Sequence, residues 1–257
     1  MSTVWAWMTL AELKEKLDQL SPVKVAFVAR VVDSLSNPPV PDIQHRGTWI
    51  TVSPEWMEYF SLSLSVHHSS TTEPMKEEAF ETAFRNACIE AGWAINPRGS
   101  ATQRFVDLEV RTGDGQLRRV SLKSTAAKRL SKTSAHISKL TEAAWVQDKR
   151  TAKGRRDGMR QLIREYQDAV DSIVMLRAFR EEPRYQLLEI PASIFDSARD
   201  APLEIYRPEA PVIPCMVGGS PAAEISIDRS DAKITIKKIQ LSACVVHAEW
   251  VKHQEEQ

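Results

Sequence analysis

The sequence predicts an α/β fold of the mixed α+β kind, in which helices flank a central mixed β-sheet that carries a β-hairpin on one side. Three observations predict it. Apolar residues recur at helical spacing through the first third of the chain, two alternating runs flank a Gly-Asp-Gly turn near its middle, and five apolar runs of strand length follow residue 171. With 257 residues and 42% hydrophobic content, the chain can bury a full core.

Four helices are expected before the hairpin. Each begins at a residue typical of helix N-termini, either a Ser or Thr cap or a proline in the first turn, and the last ends at Gly92. They begin at Thr9, at Pro22 (ending near Leu35), at Ser53 and at Thr72 (ending near Ala91). Pro41-Asp42 lies in a Pro-rich segment and is interpreted as a loop. We expect residues 1–65 to form a helical region packed on a core of residues 66–257, within one continuous domain.

After the hairpin the pattern changes from helices to strands. A helix is predicted around Ser134–Trp145 and a longer one around Arg155–Asp171. Ser172–Phe179 is almost continuously apolar, which is typical of a central strand that is buried on both faces. The other expected strands are Tyr185–Ile190 and a closing antiparallel set, Ala223–Ile227, Lys233–Ile239 and Ala243–Trp250, preceded by an irregular segment from Pro208 to Pro214.

The hairpin brings two complementary groups together. Asp107 begins its first run and Lys123 ends its second, and an antiparallel pair joined by a tight turn puts those two ends side by side. A carboxylate can hold a divalent metal ion, and a neighbouring lysine can polarise water or offset charge on a phosphate. That combination is typical of a hydrolytic nuclease. The alternative for Asp107 is a carboxylate that only accepts a turn hydrogen bond.

The net charge is zero, but the basic residues are concentrated in one segment. Between Arg111 and Arg160 the chain has fourteen Lys or Arg and four Asp or Glu. Such a segment indicates a groove that follows a phosphate backbone, although a solvated loop would have the same composition. The candidate DNA contacts within it are Arg118, Arg129, Lys132, His136 and Lys139.

The sequence indicates neither export nor a membrane partner. No run reaches the roughly 18 apolar residues that a membrane span needs, and the first residues lack the basic start of a signal peptide. The three cysteines, Cys88, Cys215 and Cys244, are widely spaced, which argues against a disulfide framework or a zinc knuckle. We therefore expect a cytoplasmic protein.

Seven short segments between residues 60 and 250 carry a family resemblance. They include Phe105-Val-Asp-Leu, Leu122-Lys-Ser-Thr-Ala-Ala-Lys128, Leu130-Ser-Lys-Thr-Ser-Ala-His136 and Tyr185-Gln-Leu-Leu-Glu-Ile-Pro191. In this order they resemble the SmaI type of type II restriction endonucleases. The resemblance implies a restriction-endonuclease-like PD-(D/E)XK core and Mg²⁺-dependent cleavage of both strands of double-stranded DNA at a short palindrome. For relatives of this type the expected site is CCCGGG, cut bluntly at its centre to leave 5′-phosphate ends.

This chain departs from the superfamily pattern at one position. An acidic residue usually stands two positions before the lysine, whereas this chain has Ser121. Because Mg²⁺ usually takes one or two carboxylates, a second carboxylate is expected from elsewhere. Glu81 and Glu142, on the helices expected before and after the hairpin, rank close together, and Glu109 is third. Each could instead be a surface acid, as Glu142 would be if it paired with Lys139. The implied catalytic set is Asp107, Lys123 and one of these glutamates, with the backbone carbonyl of Leu122 as a further metal ligand.

A palindromic site implies a two-fold symmetric homodimer with one active site for each strand. The resemblance also implies a cognate DNA methyltransferase that acts on the same site and need not bind this protein. Two alternatives stay open. One is a non-catalytic DNA-binding module on a decayed nuclease scaffold, of which Ser121 would be the first sign, and the other is a structure-specific DNA resolvase.

Overall fold

The computed structural model describes residues 8–96, 104–182 and 184–251. The helices in that part of the chain are α1 (Leu10–Asp18), α2 (Pro22–Ser36), α3 (Pro54–Ser70), α4 (Glu77–Glu90), α5 (Trp145–Asp148) and α6 (Ala152–Ala169). The strands are β1 (Pro41–Ile43), β2 (Ala94–Asn96), β3 (Leu108–Arg111), β4 (Leu117–Thr125), β5 (Ser134–Glu142), β6 (Ser172–Phe179), β7 (Arg184–Pro191), β8 (Val212–Val217), β9 (Ser220–Asp228), β10 (Lys233–Gln240) and β11 (Val245–Val251). Short 3-10 helices cover Ala192–Asp200, Leu203–Tyr206 and Leu241–Ala243.

The first four helices confirm the signals read from the sequence. Thr9 caps α1 through a capping box with Glu12, and the Ser53 hydroxyl accepts a hydrogen bond from the Trp56 amide at the start of α3. Helix α4 begins at Glu77, five residues later than expected, and the chain turns after it at Gly92, where φ is +71°. Helix α3 runs without a break through position 65, where the two predicted regions meet.

The strands form two sheets. The larger has seven strands in the order β1-β11-β7-β6-β4-β3-β2, and the smaller has four in the order β5-β10-β9-β8. In the larger sheet β4 and β6 run parallel while β6 and β7 run antiparallel, so the predicted mixed sheet with a central β6 is confirmed. Every residue of β6 except Phe179 is buried, as its apolar sequence indicates.

The predicted hairpin is confirmed as the antiparallel pair β3 and β4. Leu108 pairs with Val120 and Arg111 pairs with Leu117. Gly115 has a φ of +78° in the turn, and the Gln116 amide donates to the Asp114 carboxylate at 3.0 Å. A glycine in the left-handed region and an Asp that accepts from its own turn are the features that make this loop tight.

Two apolar layers cover the faces of the larger sheet. On one face α3 and α4 pack Trp56, Phe60, Phe80 and Phe84 against alternate residues of β3 and β4 such as Leu122. On the other face lies a core formed with α6 and the smaller sheet, which includes Tyr166, Ile173 and Ile225. The hairpin is thus fixed from both sides.

Several expected elements are corrected by the structure. The region expected as a helix around Ser134–Trp145 contains strand β5, because its residues alternate between buried and exposed. Pro41-Asp42 belongs to strand β1 at the sheet edge rather than to a loop. The segment expected to be irregular contains strand β8, an edge strand that accommodates Pro214. Strand β11 joins the larger sheet beside β7 instead of the closing set.

Within the described ranges, no helix is long and apolar enough to cross a membrane.

Candidate active site

Asp107 stands immediately before β3, where the backbone makes a sharp turn. Phe105 has a φ of +78°, a conformation that costs about 1 kcal/mol or more in a non-glycine residue and is held here by packing of its ring on Tyr166. One carboxylate oxygen of Asp107 accepts three hydrogen bonds, from the Ser121 hydroxyl at 3.0 Å, the Leu122 amide at 2.7 Å and the Lys123 ammonium at 3.3 Å. The hairpin therefore holds the carboxylate in one orientation.

Lys123 meets Asp107 as the sequence predicts. Its ammonium also donates to the Leu122 carbonyl at 2.8 Å and to the Glu77 carboxylate at 3.1 Å. Burial lowers the pKa of Lys123, but the Asp107 and Glu77 carboxylates raise it by more, so its pKa lies above the ordinary lysine value. The side chain is 15% exposed and stays charged at neutral pH. It is a fixed cation at the end of the hairpin.

Sequence reasoning missed Glu77. It lies one helical turn before Glu81 at the start of α4, and Arg85 follows one turn later. Residues spaced by four share one face of a helix, so these three side chains form a polar stripe next to the buried Phe80 and Phe84. The spacing was readable in the sequence, but only the packing of α4 against β4 shows that this face meets Lys123.

A cleft of about 260 Å³ lies between that stripe and the end of the hairpin. Its lining residues are Glu81, Thr82, Arg85, Asp107, Leu108 and Leu122. The cleft thus combines carboxylates from two separate elements with a guanidinium. Oxygen ligands of this kind suit Mg²⁺, which takes few protein ligands and keeps several waters. Among the described residues, no group of three or more His, Cys, Asp or Glu side chains is arranged to hold a metal ion.

Ser121 occupies the position of the usual acid and faces the other side of the sheet. It is buried, donates to Asp107, and lies beside the hydroxyl of Tyr166 from α6. Burial raises the pKa of Tyr166, so this hydroxyl is a neutral group behind the site. Ser121 therefore helps to orient the Asp107 carboxylate from the buried side of the hairpin.

The structure separates the three candidate glutamates. Glu81 lines the cleft with Asp107. Glu142, expected on a helix, ends strand β5 in the smaller sheet, where its 78%-exposed side chain pairs with Lys139 at 2.7 Å. Glu109 is hydrogen-bonded to Asn96 across β2 and β3, on the face opposite Leu108. The helical placement of Glu142 was wrong, and its exposed pairing matches the surface alternative.

The basic segment includes the loop of residues 126–133, which follows the end of β4 that carries Lys123. Arg180 donates to the Ala126 carbonyl at 2.7 Å, and buried Arg177 donates to the carbonyls of Ser131 and Ser134. These bonds fix both ends of the loop while Arg129 remains exposed on it. The loop is therefore anchored at both ends, carries Lys128, Arg129 and Lys132, and begins three residues after Lys123.

The remaining candidate DNA contacts lie in this loop, on β5 and on the hairpin. Lys132 pairs with Glu182 at 2.9 Å, and His136 is exposed on β5, where burial and the nearby Lys237 lower its pKa. Arg118 lies near the turn of the hairpin, where it pairs with Asp114 at 3.1 Å and stacks over Trp49. Arg118 is thus at the far end of the hairpin from Lys123.

Comparisons with known proteins give a consistent result. A family model described as SmaI, type II site-specific deoxyribonuclease, matches residues 38–252. The type II restriction enzyme SmaI of Serratia marcescens is 26% identical over 209 residues, which cover 76% of this chain and 79% of that protein. No solved structure matches the chain. The matched region includes the cleft, the hairpin and the basic segment but neither α1 nor α2.

Proposed function

This chain belongs to the SmaI family of type II site-specific deoxyribonucleases, and on that premise we propose that it hydrolyses DNA in the cleft between α4 and the hairpin. It is a DNA-cleaving enzyme by family. The single observation that supports the position of the site is the meeting of Asp107 and Lys123 at 3.3 Å beside a cleft that Glu81 also lines. The hydrogen bond from the Ser121 hydroxyl to Asp107 argues against a decayed scaffold, because the residue that replaces the usual acid still orients the Asp107 carboxylate.

Asp107, Glu81 and the Leu122 carbonyl are the residues that would hold a Mg²⁺ ion in this site. When bound, the ion supplies Lewis acidity at the scissile phosphate and lowers the pKa of a coordinated water. The protein residues do the positioning. Ser121 and the Leu122 amide hold the Asp107 carboxylate, while α4 brings Glu81 to the same cleft.

Lys123 would orient the attacking water and offset the charge that accumulates on phosphorus. Attack in line forms a bond between the water oxygen and phosphorus and breaks the bond to the 3′ oxygen. The water loses a proton to solvent and the 3′ oxygen gains one, which leaves 5′-phosphate and 3′-hydroxyl ends. Arg85, at the wall of the cleft, is placed to contact a neighbouring phosphate oxygen.

The anchored loop would follow the DNA backbone or reach the base edges. Arg129 is the leading candidate because it is exposed and its loop is fixed by Arg177 and Arg180. Lys132 in the loop and Lys139 on β5 extend the positive surface, and His136 supplies a further hydrogen-bonding group on β5. All three are proposed as phosphate contacts. Bidentate hydrogen bonds from arginine to the O6 and N7 atoms of guanine are the commonest specific base contacts, so an exposed arginine suits a G·C-rich site.

We propose a two-fold homodimer that cuts both strands of a palindrome, with CCCGGG and a blunt central cut as the expected specificity. A cognate methyltransferase would protect the same sequence in the host.

The cysteines Cys88, Cys215 and Cys244 are all free, which supports a reducing compartment such as the cytoplasm.

Digestion of plasmid DNA tests this proposal. With Mg²⁺ we expect discrete fragments whose sequenced ends are blunt and centred on CCCGGG, and with EDTA we expect none. A smear of fragments would indicate a non-specific nuclease instead of a site-specific one. Selective cutting of branched DNA would favour a resolvase. Intact plasmid with a gel shift would refute catalysis.

The choice of the second carboxylate has its own test. Glu81→Gln should raise the Mg²⁺ concentration needed for half-maximal cleavage by about tenfold or more, because the variant removes one metal ligand. The matched variant Glu142→Gln should leave that concentration unchanged, because Glu142 is exposed and paired with Lys139. The reverse pattern would move the metal ligand to Glu142.

A further inference from the structure

Strand β10 contains a β-bulge where it pairs with β5. Lys237 and Lys238 of β10 together oppose the single residue His136 of β5. The pairs that flank the bulge are Ile236 with Ile137 and Ile239 with Ala135. Lys238 has a φ of +50°, in the left-handed region that a lysine seldom adopts. A strained conformation at one point of a strand pair indicates that the side chains displayed there have a function.

The bulge turns both lysines to the outer face of the smaller sheet. The two isoleucines of β10 that flank it are fully buried in the core on the inner face. Lys237 donates to the Ser226 hydroxyl at 3.3 Å, and Lys238 donates to the Glu224 carboxylate at 2.8 Å. Both partners alternate along β9 with core isoleucines and therefore lie on the outer face. A regular strand would have pointed one of the two lysines inward.

His136 belongs to the same outer-face cluster. It is exposed, whereas its two neighbours along β5 are buried. Partial burial and the Lys237 ammonium lower the pKa of His136, so the two groups lie within electrostatic reach of each other. Lys237 pairs with no carboxylate in the part of the chain that the structure describes. The cluster thus offers one ammonium without a counter-ion, a second that Glu224 shares, and an imidazole.

Both ends of β5 are hydrogen-bonded to residues near the active site. At its start, the Ser134 carbonyl accepts a hydrogen bond at 3.1 Å from Arg177 of β6, the strand next to β4. At its end, the Glu142 carbonyl accepts one at 3.1 Å from Arg104, which stands three residues before Asp107. Strand β5 therefore runs beside the region that holds the proposed catalytic residues.

The bulge lies at the end of β5 that adjoins the anchored loop. His136 is two residues, roughly 7 Å, from the first residue of β5. Just after β10, the Leu241 amide donates to the Thr133 carbonyl of the loop at 3.0 Å. The positive surface of the loop therefore continues onto β10, which lies outside the basic segment between Arg111 and Arg160.

We propose that the bulge of β10 is a contact site for the DNA phosphate backbone, formed by Lys237 and Lys238 together with His136. The inference rests on the proposed DNA cleavage and adds two lysines that the basic segment of the sequence does not contain. Lys237 is available to a phosphate as it stands, whereas Lys238 would exchange Glu224 for the phosphate. Because phosphate contacts carry no base information, the site sets the affinity and the position of the DNA rather than the sequence that is cut.

Lys238 and Glu224 separate a DNA contact from a purely structural ion pair. If Lys238 only stabilises the sheet, Lys238→Gln and Glu224→Gln should leave DNA affinity unchanged. If it contacts a phosphate, Lys238→Gln should weaken DNA binding and Glu224→Gln should strengthen it, each by about two- to fivefold, because the carboxylate competes for the ammonium. Lys238→Gly should weaken binding equally without loss of stability, because glycine adopts the positive φ freely. Wild-type affinity in all three variants would overturn the contact at Lys238.

Salt titrations of DNA binding test the whole site. The affinity of the protein for fluorescein-labelled duplexes with and without CCCGGG is measured by fluorescence anisotropy across a range of NaCl concentrations, with EDTA present to prevent cleavage. Lys237→Gln should reduce the slope of log affinity against log salt by roughly 0.9 on both duplexes, the value for one phosphate contact. The matched variant Lys233→Gln, on the same strand but paired with Asp231, should leave the slope unchanged.

The possible failures of this experiment are distinct. A wild-type slope in Lys237→Gln would overturn the contact while DNA cleavage stands. A reduction confined to the CCCGGG duplex would assign Lys237 to a base and overturn the phosphate contact. A wild-type protein that binds neither duplex would refute the proposed function, and this contact with it.

Discussion

The ion pair between Lys123 and Glu77 gives a quantitative test of the active-site geometry. Glu77→Gln removes one of the two carboxylates that hold the Lys123 ammonium, while Asp107 remains at 3.3 Å. Because the Glu77 side chain is 45% exposed, solvent screening limits the pair to roughly 0.5–1 kcal/mol. Glu77 also lies in the first turn of α4, where a carboxylate gains a few tenths of a kcal/mol from the helix dipole.

Glu78→Gln separates these two contributions. Glu78 is exposed in the same turn of α4, so its variant loses the dipole interaction alone. Urea unfolding at pH 7 should therefore show Glu77→Gln to be less stable than Glu78→Gln by roughly 0.5–1 kcal/mol. The pKa of Lys123 is raised in the folded state, so the stabilisation is fully present below the ordinary lysine pKa and is lost as the pH rises through the raised value.

A comparison of Glu77→Gln with Lys123→Ala tests the catalytic role of Lys123. Glu77→Gln should keep cleavage within about tenfold of wild type, because Asp107 and the Leu122 carbonyl still hold the ammonium. Lys123→Ala should lower the rate by about a hundredfold or more. Equal stability of Glu77→Gln and Glu78→Gln would refute the contact between Lys123 and Glu77. Equal cleavage rates for Glu77→Gln and Lys123→Ala would refute the view that Glu77 only supports Lys123.

Three further variants examine the surroundings of the site. Ser121→Ala removes one donor to Asp107 and should slow cleavage by about tenfold, as measured in single-turnover assays. Arg177→Ala removes a buried guanidinium that donates to the carbonyls of Ser131 and Ser134 and should lower the free energy of unfolding by about 1–3 kcal/mol in urea titrations. Arg129→Ala should reduce the slope of log affinity against log salt by roughly 0.9, whereas Lys14→Ala on α1 should not change it. An unchanged cleavage rate, unfolding free energy or salt slope would refute the role given to Ser121, Arg177 or Arg129, respectively.

The local parts of the site were predictable because they depend on neighbours in sequence. The Gly-Asp-Gly turn fixes the register of β3 and β4, and that register brings Lys123 to Asp107. The apolar run of β6 likewise predicts its central place. These inferences need no knowledge of the rest of the chain.

The errors arise where tertiary packing decides between similar patterns. Residues 134–142 contain apolar residues that fit either a helix or a strand, and pairing with β10 selects the strand. That error also placed Glu142 on a helix beside the hairpin. Glu77 was missed for a related reason, because its role depends on α4 packing against β4. Likewise, β11 is a clear strand whose sheet could not be read from its sequence.

Single-turnover cleavage of plasmid DNA in Mg²⁺ by Asp107→Asn and Glu109→Gln tests the position of the active site most directly. Both variants exchange an acid for its amide, two residues apart at the same end of the hairpin, and Glu109 faces away from α4. Cleavage should fall to background in Asp107→Asn and stay within a few-fold of wild type in Glu109→Gln, with both proteins still shifting DNA in a gel. Cleavage near the wild-type rate by Asp107→Asn would contradict the assignment.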